Sequence, residues 1–368
     1  SKSMRDWGER HAVYFGCGQG IPLERAQEFL NSSVLLHQMD LFLWDYGNFR
    51  NQSMYLHNRF EDPEEKYRKL KELVGSTITT YFDLPQSYRD AKVAPDAMVL
   101  YAKEGDYFRY IDEDWAQQAG WSNLYSIAFR LQSSDIPFMF AYDEFPRVLE
   151  NDGRDVPMLI IDGEQELSAG FANASKKWFG PGKIVFCGGR IGPLHKSLLQ
   201  ELADMLGQTF TTQPAEVAAH RSSDYTHAAP SIPTADWPVL LSWKRKPIVF
   251  VKGDPTGRQL LYSSVPISRM AREDLQKVCI AALEQANTPR YQISGLLERE
   301  VVRYKGARTT FIAIKNHSAE SGALTIRTIS EPIAVFPRPD GSQTTGENDA
   351  YRLELSFKPR EVRIIEYH

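Results

Sequence analysis

The first part of the chain alternates short apolar runs with stretches in which apolar residues recur at helical spacing. The run HAVYF (11–15) precedes a helical stripe that includes Leu23 and Leu30, and DLFLW (40–44) precedes a second helical stretch at 63–83. Strands that alternate with helices predict parallel pairing through right-handed crossovers. Two such units can neither close a barrel nor complete a sheet by themselves.

The middle of the chain, from about Pro95 to residue 290, has the pattern of an α/β domain. Short, wholly apolar runs near 97, 138, 158 and 184 are typical of parallel strands that are buried on both faces, and helical stretches separate them. A hairpin follows around the turn DPTG, and the helix before Gly207 is expected to end at that glycine. We therefore predict a three-layer domain with a mostly parallel sheet and a terminal hairpin.

The last segment, from about Ser294, changes character. Short β patterns such as YRLELSF and REVRIIEYH follow one another, several of them alternate polar with apolar residues, and no helical pattern lies between them. This arrangement predicts a small antiparallel β-sandwich.

Composition narrows the function classes. The chain has 368 residues, which suggests two or three domains, and its 43 basic residues nearly balance 47 acidic ones. The net charge of -4 gives no electrostatic reason to expect nucleic acid or an anionic membrane as partner. No apolar run reaches the roughly 18–20 residues that span a bilayer.

The cysteines and the first residues give information about the cellular location of the protein. The three widely spaced cysteines do not have the spacing of metal ligands, and no metal or other cofactor is expected. So few cysteines also favour a reducing, cytoplasmic environment. The polar start SKSMRDWGER shows no signal peptide, although removal of one would leave a secreted or periplasmic location open.

Two cysteines, Cys17 and Cys187, are candidate nucleophiles. Cys17 lies in the turn GCGQG (16–20), but the glycine placement differs from the G-x-C-x-G turn of a glutamine amidotransferase. The sequence also offers no His-x-Glu pair, and the nearest arrangement is HSAE, which begins at His317. Cys187 ends an apolar strand, where α/β sheets bind ligands, yet a buried structural thiol is the favoured interpretation.

Three carboxylate clusters follow strands or turns, namely DGEQE (162–166), DEDW (112–115) and DEF (143–145). A glycosidase needs two carboxylates about 5–10 Å apart, which sequence spacing cannot show. Acidic residues at strand ends are commonly solvated, and we expect that state for all three clusters.

Aromatic residues follow the second strand. Trp44, Asp45 and Tyr46 fall at its carboxyl end, which is the functional end in (β/α) barrels. An aromatic floor beside a polar group suits a sugar ring, so these three residues are the candidate substrate-binding residues. The alternative is a strand end packed by aromatic side chains.

The order of elements resembles a known family. The stretches 96–101, 156–192 and 198–207 resemble the trimerisation domain of glycoside hydrolase family 42 β-galactosidases, and 257–289 resembles the close of that domain. In the family this domain has a class I glutamine-amidotransferase-like, flavodoxin-like fold without the catalytic cysteine. The stretch 297–368, with NHS after an apolar strand, resembles the family's C-terminal β-sandwich.

The resemblance implies that the first segment contains the last two βα units of a (β/α)8 barrel. The family's strand seven carries the nucleophilic glutamate, whereas the corresponding turn here reads GCGQ (16–19). The acid/base glutamate would lie on strand four, which this chain does not contain. The catalytic residues are therefore unknown, and Trp44 alone carries over, as the aromatic wall of the sugar subsite.

The implied domains are barrel units at 1–92, an amidotransferase-like trimerisation domain at 93–290 and a β-sandwich at 291–368. A truncated parallel sheet leaves backbone groups unpaired, so we expect a homo-oligomer, a trimer by resemblance, or a partner segment that completes the barrel.

The leading hypothesis is a carbohydrate-active protein that resembles the C-terminal half of a β-galactosidase-type glycoside hydrolase. Its partner would be a saccharide, and the amidotransferase-like domain would serve oligomerisation and shape the sugar cleft. The chain alone would then be non-catalytic. Two alternatives stay open, namely a stand-alone binding or scaffold protein and a cysteine-dependent amidotransferase-like enzyme.

Overall fold

The structure is a computed structural model, and its contacts divide the chain into two compact units. Ser1–Ala94 and Arg290–His368 form one, here called the discontinuous unit, and Pro95–Pro289 form the central unit. The structure describes residues 12–16, 23–44, 63–102, 119–163, 165, 167–189, 192–214, 231–233, 236–243, 245–286, 291–328, 330–337, 343–347 and 350–367. The division into three domains stays a prediction.

The described helices and strands confirm a mixed α/β content. The helices are α1 (Leu23–Leu30), α2 (Pro63–Asp83), α3 (Gln86–Arg89), α4 (Ala119–Ser133), α5 (Ala169–Trp178), α6 (Pro193–Met205) and α7 (Arg272–Gln285), with a π-helical turn at Asn31–Leu36 and 3₁₀ turns at Pro146–Val148 and Ile267–Arg269. None of these helices is long and apolar enough to cross a membrane.

The strands of the first part and of the central unit are β1 (Ala12–Gly16), β2 (Asp40–Trp44), β3 (Lys92–Val93), β4 (Ala97–Tyr101), β5 (Phe138–Tyr142), β6 (Met158–Asp162), β7 (Ile184–Gly188), β8 (Thr212–Pro214), β9 (Ser231–Pro233), β10 (Val239–Trp243), β11 (Lys246–Gly253) and β12 (Gln259–Ser263). Those of the last part are β13 (Tyr291–Ser294), β14 (Arg299–Lys305), β15 (Thr310–Asn316), β16 (Gly322–Thr328), β17 (Pro332–Phe336), β18 (Gln343–Glu347), β19 (Ala350–Phe357) and β20 (Val362–Tyr367).

The central unit contains a seven-stranded sheet in the order β10-β11-β12-β7-β6-β4-β5. The five strands from β12 to β5 are parallel, and β10, β11 and β12 pair antiparallel. Along β6, Leu159 and Ile161 join an apolar cluster with α5 and α6, whereas Met158 and Ile160 join one with α4 and α7. Helices cover both faces, which explains why these strands are apolar throughout. The predicted mostly parallel sheet and its hairpin are confirmed.

The helix α6 ends where the sequence predicts, at Gly207. Pro193 occupies its first turn, where a missing N–H costs no helical hydrogen bond. Gly207 follows the helix with φ +66°, a left-handed conformation that glycine adopts without strain and that stops the helix.

The discontinuous unit contains two antiparallel sheets, in the orders β13-β16-β19-β18 and β17-β20-β15-β14-β3, together with the parallel pair β1-β2. Ile314 and Ile365 of the five-stranded sheet share an apolar cluster with Leu324 and Leu353 of the four-stranded sheet, so the two sheets pack face to face. The other face of the five-stranded sheet packs against the π-helical turn and the end of α2.

The first helical stretch differs from the single regular helix that its spacing indicates. The α-helix ends at Leu30 and continues as the π-helical turn. Lys315 Nζ donates to the Glu28 carbonyl at 3.3 Å and lies 2.5 Å from Ser32 Oγ, and Asn31 Nδ2 donates to the Arg360 carbonyl at 3.0 Å. These bonds lie at the junction between the α-helix and the π-helical turn.

Candidate functional site

The predicted sugar-binding residues follow β2. β1 and β2 pair in parallel, with Gly16 opposite Trp44, so both strands end at the same edge of the pair. Trp44 is the last residue of β2, whereas Asp45, Tyr46 and Cys17 lie outside the described residues. The backbone thus places Trp44 at the edge where parallel α/β sheets bind ligands. Its role in sugar binding stays a prediction.

Hydrogen bonds fix the backbone that leads into β2. The Tyr88 hydroxyl donates to the Leu35 carbonyl at 2.8 Å, and the Tyr304 hydroxyl donates to the Leu36 carbonyl at 2.6 Å. Gln38 has φ +50°, which is uncommon for a non-glycine residue, and its side-chain amide donates to the Tyr88 carbonyl at 2.6 Å. The start of β2 is therefore held by side chains from α3 and β14.

Charged side chains lie between the first helix and the five-stranded sheet. This ionic cluster consists of Glu28, His37, Glu300, Lys315, His317 and Arg360. Glu28 is its acidic centre, since Oε1 lies 3.6 Å from Lys315 Nζ and Oε2 lies 2.9 Å from Arg360 Nη1. The Lys315 side chain is only 1% exposed, whereas that of Glu28 is 34% exposed.

Two histidines contact Glu300, the second carboxylate of the ionic cluster. His37 Nε2 lies 3.1 Å from Glu300 Oε1, and His317 Nε2 lies 3.5 Å from Glu300 Oε2. The other ring nitrogen of His317, Nδ1, lies 3.5 Å from Glu28 Oε1. His317 therefore bridges two carboxylates, and it can donate to both only as an imidazolium.

The surroundings shift the pKa of two members in ways that fit this pairing. Burial opposes ionisation of Glu28, but Lys315, His317 and Arg360 together hold the pKa of its carboxyl below the ordinary value. Burial lowers the pKa of the Lys315 ammonium, and Glu28 and Glu300 oppose that shift. Because these charges satisfy one another, the ionic cluster anchors α1 on β14 and β15.

Sequence reasoning missed the ionic cluster, although one signal was available. Glu300 and Lys315 are register partners on β14 and β15. They share the strand face of Val302 and Phe311, which belong to the apolar cluster beneath the π-helical turn. Opposite charges at paired positions on the apolar face of two adjacent strands predict a pair of charged side chains that point toward the core.

The thiol of Cys187 is the best-defined test of the nucleophile hypothesis. Cys187 is 1% exposed in an apolar cluster of the central unit, and burial together with Asp162 raises the pKa of its thiol far above the ordinary value. A nucleophile needs an accessible thiolate, so Cys187 is unsuited to that role. Cys279 is also buried, whereas Cys17 lies outside the described residues.

The expected solvated state is wrong for two of the carboxylates. Asp162 is 2% exposed, and its Oδ2 accepts a hydrogen bond from the Ser268 backbone N–H at 3.1 Å. Asp143 is also buried, and its Oδ1 accepts from the Ser168 backbone N–H at 2.9 Å. Both carboxylates bind backbone donors of neighbouring loops. The cluster at 112–115 lies outside the described residues, as do Glu164 and Glu166.

His195 lies in the first turn of α6. Burial lowers the pKa of its ring to about 4 despite a bond with the Gln165 backbone, so the ring is neutral at physiological pH. Among the described residues, no group of three or more His, Cys, Asp and Glu side chains could hold a metal ion.

No family model and no curated protein matches this chain. Solved structures do match it in fold. A β-galactosidase from the Antarctic haloarchaeon Halorubrum lacusprofundi has a TM-score of 0.59 at 11% identity, over 99% of this chain and 54% of the other. One from Bacillus circulans sp. alkalophilus has a TM-score of 0.58 at 14% identity, over 99% of this chain and 57% of the other.

A catalytic mutant of a GH42 β-galactosidase from G. stearothermophilus matches with a TM-score of 0.55 at 14% identity, over 93% of this chain and 50% of the other. The chain thus spans about half the length of each of these enzymes. At such low identity the likeness shows a shared fold.

Proposed function

We propose that this chain is part of a carbohydrate-active protein of the GH42 glycoside hydrolase type, corresponding to the C-terminal half of such an enzyme. The observation that supports it is the parallel pair β1-β2, in a chain that shares its fold with about half of several β-galactosidases. In this proposal β1 and β2 are the last two strands of a (β/α)8 barrel. An isolated two-stranded sheet is marginal, which favours completion by further strands.

In this proposal the central unit and the two antiparallel sheets have non-catalytic roles. The central unit is an amidotransferase-like domain that serves oligomerisation, and the two antiparallel sheets form a C-terminal β-sandwich. The buried Cys187 argues against cysteine chemistry in the central unit.

The substrate is a saccharide bound at the carboxyl edge of β1 and β2. Trp44 would form the wall of the sugar subsite, with Asp45 and Tyr46 beside it, because an aromatic face suits the apolar face of a sugar ring. Retaining hydrolysis needs a nucleophilic carboxylate and an acid/base carboxylate about 5–5.5 Å apart. In the family the nucleophile follows strand seven, where this chain reads GCGQ (16–19), and the acid/base residue lies on strand four, which this chain does not contain, so no residue of this chain is assigned to catalysis.

Incubation of the purified chain with aryl β-galactosides tests the non-catalytic assignment. We expect no turnover. Robust turnover that a single carboxylate substitution within the chain abolishes would overturn it.

Sugar binding and assembly have separate readouts. Binding of galactosides to the chain, measured by ligand-observed NMR, should weaken about tenfold in Trp44→Ala and less in Trp44→Phe, which keeps a flat ring. Light scattering should show a trimer. A monomer that binds saccharides would instead support the stand-alone binding module.

A further inference from the structure

A cavity of about 250 Å³ lies inside the discontinuous unit, between the π-helical turn, α2 and β20. Its floor is apolar and consists of Leu35, Leu73, Leu84, Val362 and Ile364. This volume is just below the range of about 300–1,000 Å³ typical of sites for drug-sized ligands. The cavity therefore suits one small molecule with an apolar face.

The rim of the cavity is polar and offers both donors and acceptors. Thr77 and Thr80 of α2 use their hydroxyl protons on carbonyls four residues earlier, at 2.9 Å, which leaves their oxygens as acceptors. Asn31 donates its amide to the Arg360 carbonyl, so its side-chain oxygen is also an acceptor. Gln27 contributes a second side-chain amide to the rim.

One carboxylate and one ammonium group belong to the lining of the cavity. The Glu361 carboxylate accepts from the Lys358 backbone N–H at 2.7 Å and pairs with Arg363 at 2.9 Å. Lys358 brings an ammonium donor to the same rim. Because Glu361 is already paired with Arg363, the lining keeps the one positive charge of Lys358, which is exposed and screened by solvent, so charge alone selects little among ligands.

We propose that this cavity binds a neutral polyol the size of a monosaccharide. The hydroxyl groups of such a ligand both donate and accept, matching the mixed rim, and the C–H face of its ring can pack on the leucine, valine and isoleucine floor. The site shares no residue with the edge of β1 and β2, so it goes beyond the proposed function and does not depend on it.

The test titrates the full chain with D-galactose, D-glucose and myo-inositol, followed by saturation-transfer NMR, with acetate and ethylammonium as charged probes. We expect at least one neutral probe to bind with a dissociation constant of roughly millimolar order, and the charged probes to bind more weakly. If no neutral probe approaches saturation by roughly 100 mM, or if a charged probe binds more tightly, the proposal is overturned.

Two threonines on α2 supply matched variants. Thr80 lines the cavity, whereas the exposed Thr79 is not among the described residues of its lining, and each hydroxyl bonds the carbonyl four residues earlier at 2.9 Å. Thr80→Phe fills the cavity and should weaken binding more than tenfold, while Thr79→Phe should leave it unchanged. Thr80→Val, which removes only the hydroxyl, should weaken binding about fivefold and covers the case in which the larger variant fails to fold.

The variant Trp44→Ala separates this site from the proposed sugar subsite. Binding that survives in Trp44→Ala and is lost in Thr80→Phe supports the cavity. Binding that is lost in Trp44→Ala and survives in Thr80→Phe overturns the present inference and leaves the proposed function standing.

Discussion

The two units attach helices to sheets by different means. In the central unit, α4 and α7 pack on one face of the sheet and α5 and α6 on the other through apolar side chains. In the discontinuous unit, the π-helical turn also packs through apolar side chains, and α1 combines its buried Ala26 and Leu30 with the ionic cluster around Glu28 and Lys315.

The two attachments differ mainly in charge, since both units also use hydrogen bonds between a helix and its surroundings. The helices of the central unit keep regular geometry while they cover the sheet, although Gln259 of β12 donates to the Ala282 carbonyl of α7 at 3.1 Å. In the discontinuous unit Lys315 donates to the Glu28 carbonyl and Asn31 donates to the Arg360 carbonyl, and the π-helical turn begins at Asn31. The apolar attachment should therefore depend little on pH and the ionic one more strongly.

Truncation of the apolar attachment should have the largest effect. Phe186 of β7 is fully buried in the cluster with α4 and α7, so Phe186→Ala should lower the free energy of unfolding by about 3–5 kcal/mol. Urea denaturation measures this. The control is Phe129→Ala on α4, where the ring is 65% exposed and the change should stay within about 0.5 kcal/mol.

Removal of the buried ammonium should rank second. Lys315→Ala removes a buried cation beside Glu28 and Glu300 and should cost about 2 kcal/mol, less than a buried pair left wholly uncompensated, because Glu28 keeps Arg360 at 2.9 Å. The control is Lys305→Ala at the exposed end of β14, with an expected change within about 0.5 kcal/mol. Equal effects in urea denaturation would show that the ionic cluster does not hold the helix.

A directional contact in the central unit should have an intermediate effect. Ser168 caps α5, since its hydroxyl oxygen accepts from the Phe171 N–H at 3.1 Å. Ser168→Ala should cost about 1 kcal/mol, and Ser168→Thr should retain most of the cap. Thermal unfolding compares the three proteins, and an unchanged melting temperature in Ser168→Ala would contradict a role for the cap.

The pH dependence of the ionic attachment should be the smallest effect. The pKa of the Glu28 carboxyl is lowered in the folded state, so its contribution is present above the ordinary value of 4.5 and is lost as pH falls through the lowered value. Glu28→Gln should thus destabilise at pH 6 by about 1 kcal/mol at most, because the carboxylate is 34% exposed, and should have a smaller effect near pH 3.

Urea denaturation at both pH values measures this difference. The control is Glu72→Gln on α2, an exposed glutamate whose partner is Arg68 of the same helix. A Glu28→Gln penalty that is equal at both pH values would contradict the electrostatic origin of the attachment.

Much of the fold could be predicted because local pattern and tertiary environment agree. The parallel strands of the central unit are apolar on both faces, as helices on both sides require, and Gly207 ends α6 as predicted. The candidate site was predictable only in part. Trp44 lies at the carboxyl end of β2, but the local pattern of the first helix did not indicate the π-helical turn.

The sequence by itself determined most of the longer strands and helices and which of their faces are apolar, because these depend on residue spacing along one element. Only the tertiary structure decided the state of individual polar groups. Asp162 is buried because Ser268 supplies a backbone donor from a loop far along the chain, and Glu28 meets Lys315 because the fold brings α1 onto β15. Desolvation and charge pairing depend on neighbours from distant parts of the chain, which residue spacing does not specify.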